Sequence, residues 1–297
     1  MHDVIVIGGS FAGQSAAMQL ARARQDVLLI DAGLPRNRFA DAAHGFLGQD
    51  GRTPRAIIRD AARQLLAYPT ARMLAGEVRH ATHASDGFAL TMASGETRLA
   101  RRLILATGVS DELPPIPGMA ERWGETVLHC PYCHGYEVRD HPLGIIANHP
   151  MSAHQAALIP DWGPSTYSTQ SQYEPDDAER VRLEARGVAI ERVPVVALIG
   201  DAPALSAVQL ADGRTIEIAA VFTAPRTRLS SDVAVQLGCA LEDGPTGPFI
   251  SIDNWGLTSV PGVYAAGDAT SPMHNATFAS ASGVKAGVGA HQSLVFA

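Results

Sequence analysis

Apolar positions in this chain come in short dense runs, not in long stripes. Val4-Ile-Val-Ile7 is the first, four β-branched residues in a row, as expected of a parallel strand buried on both faces. A glycine-rich turn, Gly8-Gly-Ser-Phe-Ala-Gly13, follows it, then a helical stretch from Gln14 to Arg24. Val27-Leu-Leu-Ile30 is the next strand, closed by Asp31. Thr53 to Leu66 reads as a helix, with Thr53 as N-cap and Pro54 at the first helical position. Strand-like pieces at Phe88–Met92 and Leu103–Leu105, with a turn at Ser94-Gly95, predict a small added sheet. Leu143-Gly-Ile-Ile146 starts the pattern again, and Val181–Ala185, Val193–Ile199 and Ala219–Phe222 continue it. Near the end, Val260 to Asp268 reads as a strand ending in Gly-Asp, followed by a helix of small residues from about Ala276 to Ala290.

Strand and helix alternate throughout, which predicts an α/β protein of two Rossmann-like, three-layer ββα domains. Pro114-Pro-Ile-Pro-Gly118 breaks the first pattern and reads as a linker into the second domain. The first and last segments, 1–113 and 243–297, are expected to build one split domain, with 114–242 inserted into it.

At 297 residues, 46% hydrophobic and 18% charged, the chain has room for two ordinary globular domains. The net charge of -7 argues against nucleic acid as a partner, and no apolar run is long enough to span a membrane. Positive charge is almost all arginine; Lys285 is the only lysine. The N-terminus reads as a strand, not a signal peptide, and the three cysteines fit a reducing compartment, so a cytoplasmic location is expected. Cys239 reads as a small buried hydrophobe.

Strand, glycine loop, helix, strand and acid is the arrangement of a dinucleotide-binding βαβ unit. Gly8, Gly9, Ser10, Phe11, Ala12 and Gly13 would bring backbone amides and a helix start to a pyrophosphate, and Asp31 would accept from a ribose hydroxyl. Ser10 stands where the second glycine of the fingerprint belongs; it is small, and its hydroxyl suits a phosphate. Pro35-Arg-Asn-Arg38 reads either as a hold on the adenosine end or as a solvated basic turn. The loop around His44-Gly-Phe-Leu-Gly48 is too apolar for a plain linker and is expected to lie against the cofactor. Ala106-Thr-Gly108 ends a strand in small residues that let a ligand approach.

Two of the three cysteines form Cys130-Pro-Tyr-Cys133, flanked by His129 and His134. This spacing suits a redox dithiol in which one thiol attacks a partner disulfide and the other closes the internal one. An imidazole beside it can exchange the thiol proton near neutral pH. Half a zinc site is the competing reading, but no second Cys pair exists and a Cys2His2 site here would be crowded, so no metal is expected.

Together these motifs resemble the low-molecular-weight thioredoxin reductase family over nearly the whole chain: the loop at Gly8, Ala106-Thr-Gly108, the Cys130/Cys133 pair, and Gly267-Asp268. The resemblance implies a homodimeric FAD enzyme. Its cofactor-binding positions would be Gly8 to Gly13, Asp31, Ala32, Asn37, Arg38, His44, Val78, Ala106, Thr107, Gly108, Gly267, Asp268, Asn275, Ala276 and Thr277. It also implies that Cys133 is nearer the flavin, that Cys130 is the interchange thiol, and that His134, or else His129, is the acid–base group. The partner would be a thioredoxin-like protein or a small dithiol or disulfide. The run His129 to Glu137 and the His44 to Gly51 loop look most like a branch related to dithiol oxidases of natural-product pathways, which pass electrons to oxygen.

The inserted domain departs from the family pattern. After Leu143–Ile146 the loop reads Ala147-Asn-His-Pro-Met-Ser152, where a glycine fingerprint is expected for NADPH. Ala147 replaces the turn glycine, His149 puts a ring where backbone must approach pyrophosphate, and Pro150 removes a donor. From Asp140 to Glu179 there is no lysine or arginine for a 2′-phosphate, while Glu174, Asp176 and Asp177 are acidic. A degenerate NADPH-type domain is therefore expected, with electrons exchanged with a reduced protein such as ferredoxin, or taken from a dithiol and passed to oxygen. A flavin-binding protein or sensor without catalysis is the remaining class, disfavoured by the intact Cys pair. The tail, through His291 or Phe296, is expected to cover the free flavin face.

Overall fold

The computed structural model describes residues 1–296 and divides them into two compact units. The first unit comprises Met1–Arg38, Pro54–Ser110 and the segment from Thr227 onward; the second comprises Phe39–Thr53 and Asp111–Arg226.

In the first unit, strands Ala71–Ala75, Val27–Asp31, His2–Ile7, Thr97–Leu105 and Val263–Ala265 lie in that order, all parallel. Val6 pairs with Leu29 and Ile104, and Ile7 with Ile30 and Leu105, which aligns the strand ends at one edge. Side chains alternate across this sheet. Ile5, Ile7, Leu28 and Ile30 fill one core with Val78, Phe88 and Leu90. Val4, Val6, Val27 and Leu29 fill the other, beneath helices Phe11–Arg22 and Ala276–Val295. Burial on both faces explains the unbroken apolar runs. The small antiparallel sheet is also present: Val78–Ala84 and Gly87–Met92 pair onto the first half of Thr97–Leu105.

The second unit repeats the plan at smaller scale. Its parallel sheet runs Ala189–Glu191, Ser165–Ser168, Leu143–Ile146, Ala220–Phe222, Val127–Leu128. Helices Ser152–Leu158 and Asp177–Ala185 pack on it around Tyr167 and Phe222, and an antiparallel three-stranded sheet begins at Val195–Ile199.

Several element bounds differ from the sequence expectation for physical reasons. The first helix starts at Phe11, inside the glycine loop, and ends before Arg24, whose φ of +62° is incompatible with a helix. The Asp177–Ala185 helix starts four residues earlier than its apolar pattern because Asp176 and Glu179 form a capping box. The last helix runs on to Val295. The domain bounds also sit differently from 114 and 242. Residues 39–53 pack with the second unit, where Phe39 lies against Gly124. Residues after 226 pack with the first, because Val233, Ala234 and Leu237 complete its core.

Candidate functional site

Three segments far apart in the chain converge at the C-terminal edge of the first unit's sheet. Gly8 has φ +108°, and a methyl group on it would overlap the carbonyl of Ala106. A methyl on Gly13 would overlap the carbonyl of Gly8, so strand and helix meet at backbone distance. Gly267 lies against Ala12, which brings the Gly267-Asp268 turn to the first loop. Gly8, Gly9, Ser10, Phe11, Ala12, Gly13, Asp31, Ala106 and Gly267 are thus one cradle. Gly9 donates its amide to Asp31 Oδ1 at 3.1 Å.

The rim is built from other expected residues. Asn275 caps the last helix, its Oδ1 accepting from the Thr277 amide at 2.7 Å, with Ala276 between them. Asp268 is held by Arg36 at 3.1 Å. Asn37 lies in the same short turn, Arg36–Phe39, and Arg38 donates back to the Pro35 carbonyl. Thr107 and Gly108 are half-buried beyond Ala106, and Ala32 is exposed beyond Asp31. Val78 is a core residue of this unit, and His44 belongs to the second unit.

The cradle fits a dinucleotide. No side chain fills the turn, and the Ser10 side chain makes no capping bond, so it does not close the amides at the helix start. Gln14 holds the Gly9 carbonyl through Nε2 at 2.8 Å, and its Oε1 is buried with no hydrogen-bond partner. The glycine cradle and Asp31 would hold the pyrophosphate and ribose of FAD, with Asp268 and the Asn275 end of the last helix beside the rest. The tail lies away from the cradle within its own chain. His291 and Phe296 follow the same 20-residue helix to its far end, about 25–30 Å from Asn275 at 1.5 Å per residue.

The matching loop of the second unit is built the opposite way. Ser152 Oγ accepts from the amides of Asn148 at 3.1 Å and His149 at 3.2 Å. His149 Nδ1 accepts from the Met151 amide at 3.0 Å, and Pro150 has no amide to offer. The donors that would meet a pyrophosphate are spent on the loop's own side chains. His149 is 5% exposed; burial first, then Arg226, holds its imidazole below the ordinary histidine range. The sequence expectation of a cation-free acidic loop needs one correction. Arg192, from outside that stretch, folds back onto Glu174 at 3.2 Å and is paired there, and Arg226 faces His149.

Cys130 and Cys133 are disulfide-bonded across the single turn Pro131–His134, with Cys130 at the N-cap position and Pro131 opening the turn. Both sulfurs belong to half-buried residues, while Tyr132 between them is 72% exposed and Tyr136 64%. Trp162 pads the turn from below, edge-on to Tyr132 with ring centroids 5.7 Å apart, and leaves no room for a side chain on Gly135. Gln155 Nε2 holds the His129 carbonyl at 2.8 Å, fixing the segment before Cys130 to the helix after the closed loop. Burial keeps the His134 imidazole below its ordinary range. Among the described residues, no cluster of three or more His, Cys, Asp or Glu side chains is placed to hold a metal. No helix of the described chain is long and apolar enough to cross a membrane.

Sequence reasoning missed Gln14 and Gln155 as supports, and read Arg36 only as part of the Pro35–Arg38 turn, without its partner Asp268. Ser152 carried a local signal, a serine just past a strand end and three residues after His149. Arg36 and Asp268 are 232 residues apart, and nothing in either local sequence announces the pair.

The comparisons with known proteins agree with this geometry. Residues 2–154 and 167–283 match the pyridine nucleotide-disulphide oxidoreductase family. Thioredoxin reductase tcpT of Claviceps purpurea is 32% identical over 99% of this chain and 94% of its own. The crystal structure of an oxidoreductase from Agrobacterium tumefaciens superposes with a TM-score of 0.95 at 47% identity, covering 99% of both chains. A putative thioredoxin reductase, TrxB from Bacillus anthracis, superposes at 0.93 with 30% identity, over 100% of this chain and 99% of its own. The chain therefore belongs to the pyridine nucleotide-disulphide oxidoreductase family, in its low-molecular-weight thioredoxin-reductase-like branch, and is a flavin-dependent disulfide oxidoreductase with FAD as its cofactor.

Proposed function

We propose that the protein exchanges electrons between a dithiol or disulfide substrate and FAD through Cys130 and Cys133, without drawing them from NADPH. One observation carries this reading: the Asn148–Ser152 loop spends its amides on Ser152 Oγ and His149 Nδ1. A nucleotide pyrophosphate there would have to displace three internal hydrogen bonds and a buried imidazole ring. FAD supplies a two-electron acceptor or donor to the Cys pair. Cys130 is the thiol that meets the substrate, Cys133 the one toward the flavin, and His134 the group that takes or returns the thiol proton, with His129 as its alternate. The reducing partner is a small electron-transfer protein of the ferredoxin kind, the oxidised partner a thioredoxin-like protein, and the working enzyme a homodimer.

A second reading has its own support. Exposed Tyr132, between the cysteines, and exposed Tyr136, three residues past Cys133, give this unit aromatic surface at the Cys turn. Such a surface suits a small dithiol. That substrate would lose two electrons and two protons as its S–S bond closes, and oxygen would take both to become hydrogen peroxide.

Anaerobic titration of the flavin absorbance separates these routes. NADPH and NADH are expected to leave the spectrum unchanged, and dithiothreitol to bleach it. Bleaching by one equivalent of NADPH would make this an ordinary reductase. Readmitting oxygen then tests the second reading: rapid recovery of the spectrum with one peroxide per flavin supports an oxidase.

A further inference from the structure

The Phe39–Thr53 segment is the part of the chain whose position the sequence explains least. It leaves the first unit's fold and packs with the second, the unit that holds the Cys pair. Its ends are tied together by the Ala43 to Arg52 bridge and by Asp50, whose Oδ1 accepts from the Gly45 amide at 2.8 Å. Gly45 lies over the Tyr132 carbonyl, in the middle of the Cys turn. His44 is the titratable side chain that the segment brings to the Cys turn. Its Nε2 is 3.6 Å from Glu137 Oε1, and its Nδ1 is 3.8 Å from Asp50 Oδ1. Glu137 follows His134 by one turn and donates its amide to the His134 carbonyl at 3.3 Å.

We propose that Glu137, held by His44 of the Phe39–Thr53 segment, is a positioning residue for His134, and that this pair governs proton exchange between His134 and the dithiol. The inference rests on the proposed role of His134 and adds to it the residues that control that role. In the exchange, a substrate thiol loses its proton, its sulfur attacks Cys130 Sγ, the Cys130–Cys133 bond breaks, and Cys133 leaves as a thiolate. The substrate's second thiol then displaces Cys130, so the substrate ends as a disulfide and the pair as a dithiol, with both electrons and both protons accounted for. Each stage needs a nearby group to accept or supply one proton.

The charges facing His134 come from two elements. From its own segment, the Glu137 carboxylate favours the imidazolium; from the Phe39–Thr53 segment, a protonated His44 opposes it, backed by Asp50. Burial is the largest influence and favours the neutral ring. Removing the Glu137 charge therefore lowers the proton affinity of His134. Removing His44 raises it, both by deleting a like charge and by freeing Glu137 to act on His134 alone. Two neighbours acting with opposite sign make a test that general structural damage does not imitate.

The test is the NMR titration of His134 in the oxidised holoenzyme, assigned by its loss in His134→Gln, for the parent, Glu137→Gln, Glu137→Asp and His44→Gln proteins. The expected result is a downward move of about half a pH unit for Glu137→Gln, the size of one partly screened charge. An upward move is expected for His44→Gln, and a value near the parent's for Glu137→Asp. The acid limb of dithiothreitol-driven flavin bleaching should move in the same directions. Midpoints that do not move, or that move with the same sign in Glu137→Gln and His44→Gln, overturn the proposal. The titration does not depend on turnover. A parent flavin that dithiothreitol fails to bleach would instead count against the dithiol route itself, and the two failures are told apart.

Discussion

Cys130 and Gly8 carry separate halves of the chemistry, and single substitutions separate them. Cys130→Ser removes the sulfur that meets the substrate but touches nothing in the cradle of residues 8–13. The variant should purify with its full flavin spectrum and lose dithiol-driven bleaching by at least about 100-fold. Gly8→Val does the reverse. Its φ of +108° and its contact with the Ala106 carbonyl leave no place for a side chain. That protein should purify without flavin while its Cys pair still titrates as two thiols after reduction. His149 adds a pH signature. Its folded-state proton affinity is depressed, so the unfolded chain binds the extra proton as pH falls through about 6.5. Stability should drop across that window, and the urea midpoint of His149→Gln should show a flatter slope between about pH 7 and 5. At this scale the sequence was most legible where chemistry is local. The Cys pair, the glycine turn and Asp31 announce themselves within 31 residues of a strand pattern or within one motif. Arg36 with Asp268, and His44 with Glu137, do not, because tertiary folding alone brings them together.

The two glycine-position loops make the clearest comparison between elements. Both follow a central strand of a parallel sheet and precede a helix, yet one opens its helix start and the other closes it. Strand identity was readable in both, since burial on two faces demands apolar runs. Helix limits were not, because they depend on caps such as Asp176 with Glu179 and on packing that lets small residues continue a helix. Ser152→Ala should cost about 1–2 kcal/mol in urea unfolding, through two lost bonds to buried or half-buried amides. It should still not gain bleaching by NADPH, since Pro150 and the His149 ring remain. The crossing of helices Phe11–Arg22 and Ala276–Val295 rests on similarly local requirements. A side chain on Gly283 would overlap the Ala12 carbonyl, and one on Gly287 would press on Ala16. Gly283→Val should therefore push the last helix away from the cradle and weaken flavin retention on dialysis, despite lying outside the glycine loop.

For the whole molecule, ligand response is the cheapest discriminator. FAD at about one hundred times its dissociation constant should stabilise the apoprotein by about 2.7 kcal/mol and raise its melting temperature by several degrees. The same concentration of NADPH should leave the melting temperature of the holoenzyme unchanged. The overall plan of a split α/β unit and an inserted one was legible, because the strand–loop–helix pattern starts twice and the third cofactor segment returns near the end. Membership of residues 39–53 was not, because their apolar character marks them as packed without saying against what.

The cradle also has an order of assembly written into it. Its floor, residues 2–31, is made before the rest of it. The strand Val263–Ala265 and the helix that lies against Ala12 and Ala16 are made more than 230 residues later. Until then the Leu103–Leu105 edge is an open template and the apolar face of Phe11–Arg22 has no cover. The second unit, by contrast, has all of its chain in hand by residue 226. During synthesis the dithiol unit can be finished while the flavin unit still lacks the strand and helix that complete its cradle, so FAD capture is expected to wait for residues 263–295. Nascent chains stalled before residue 263 are thus the ones most exposed to chaperones and to aggregation.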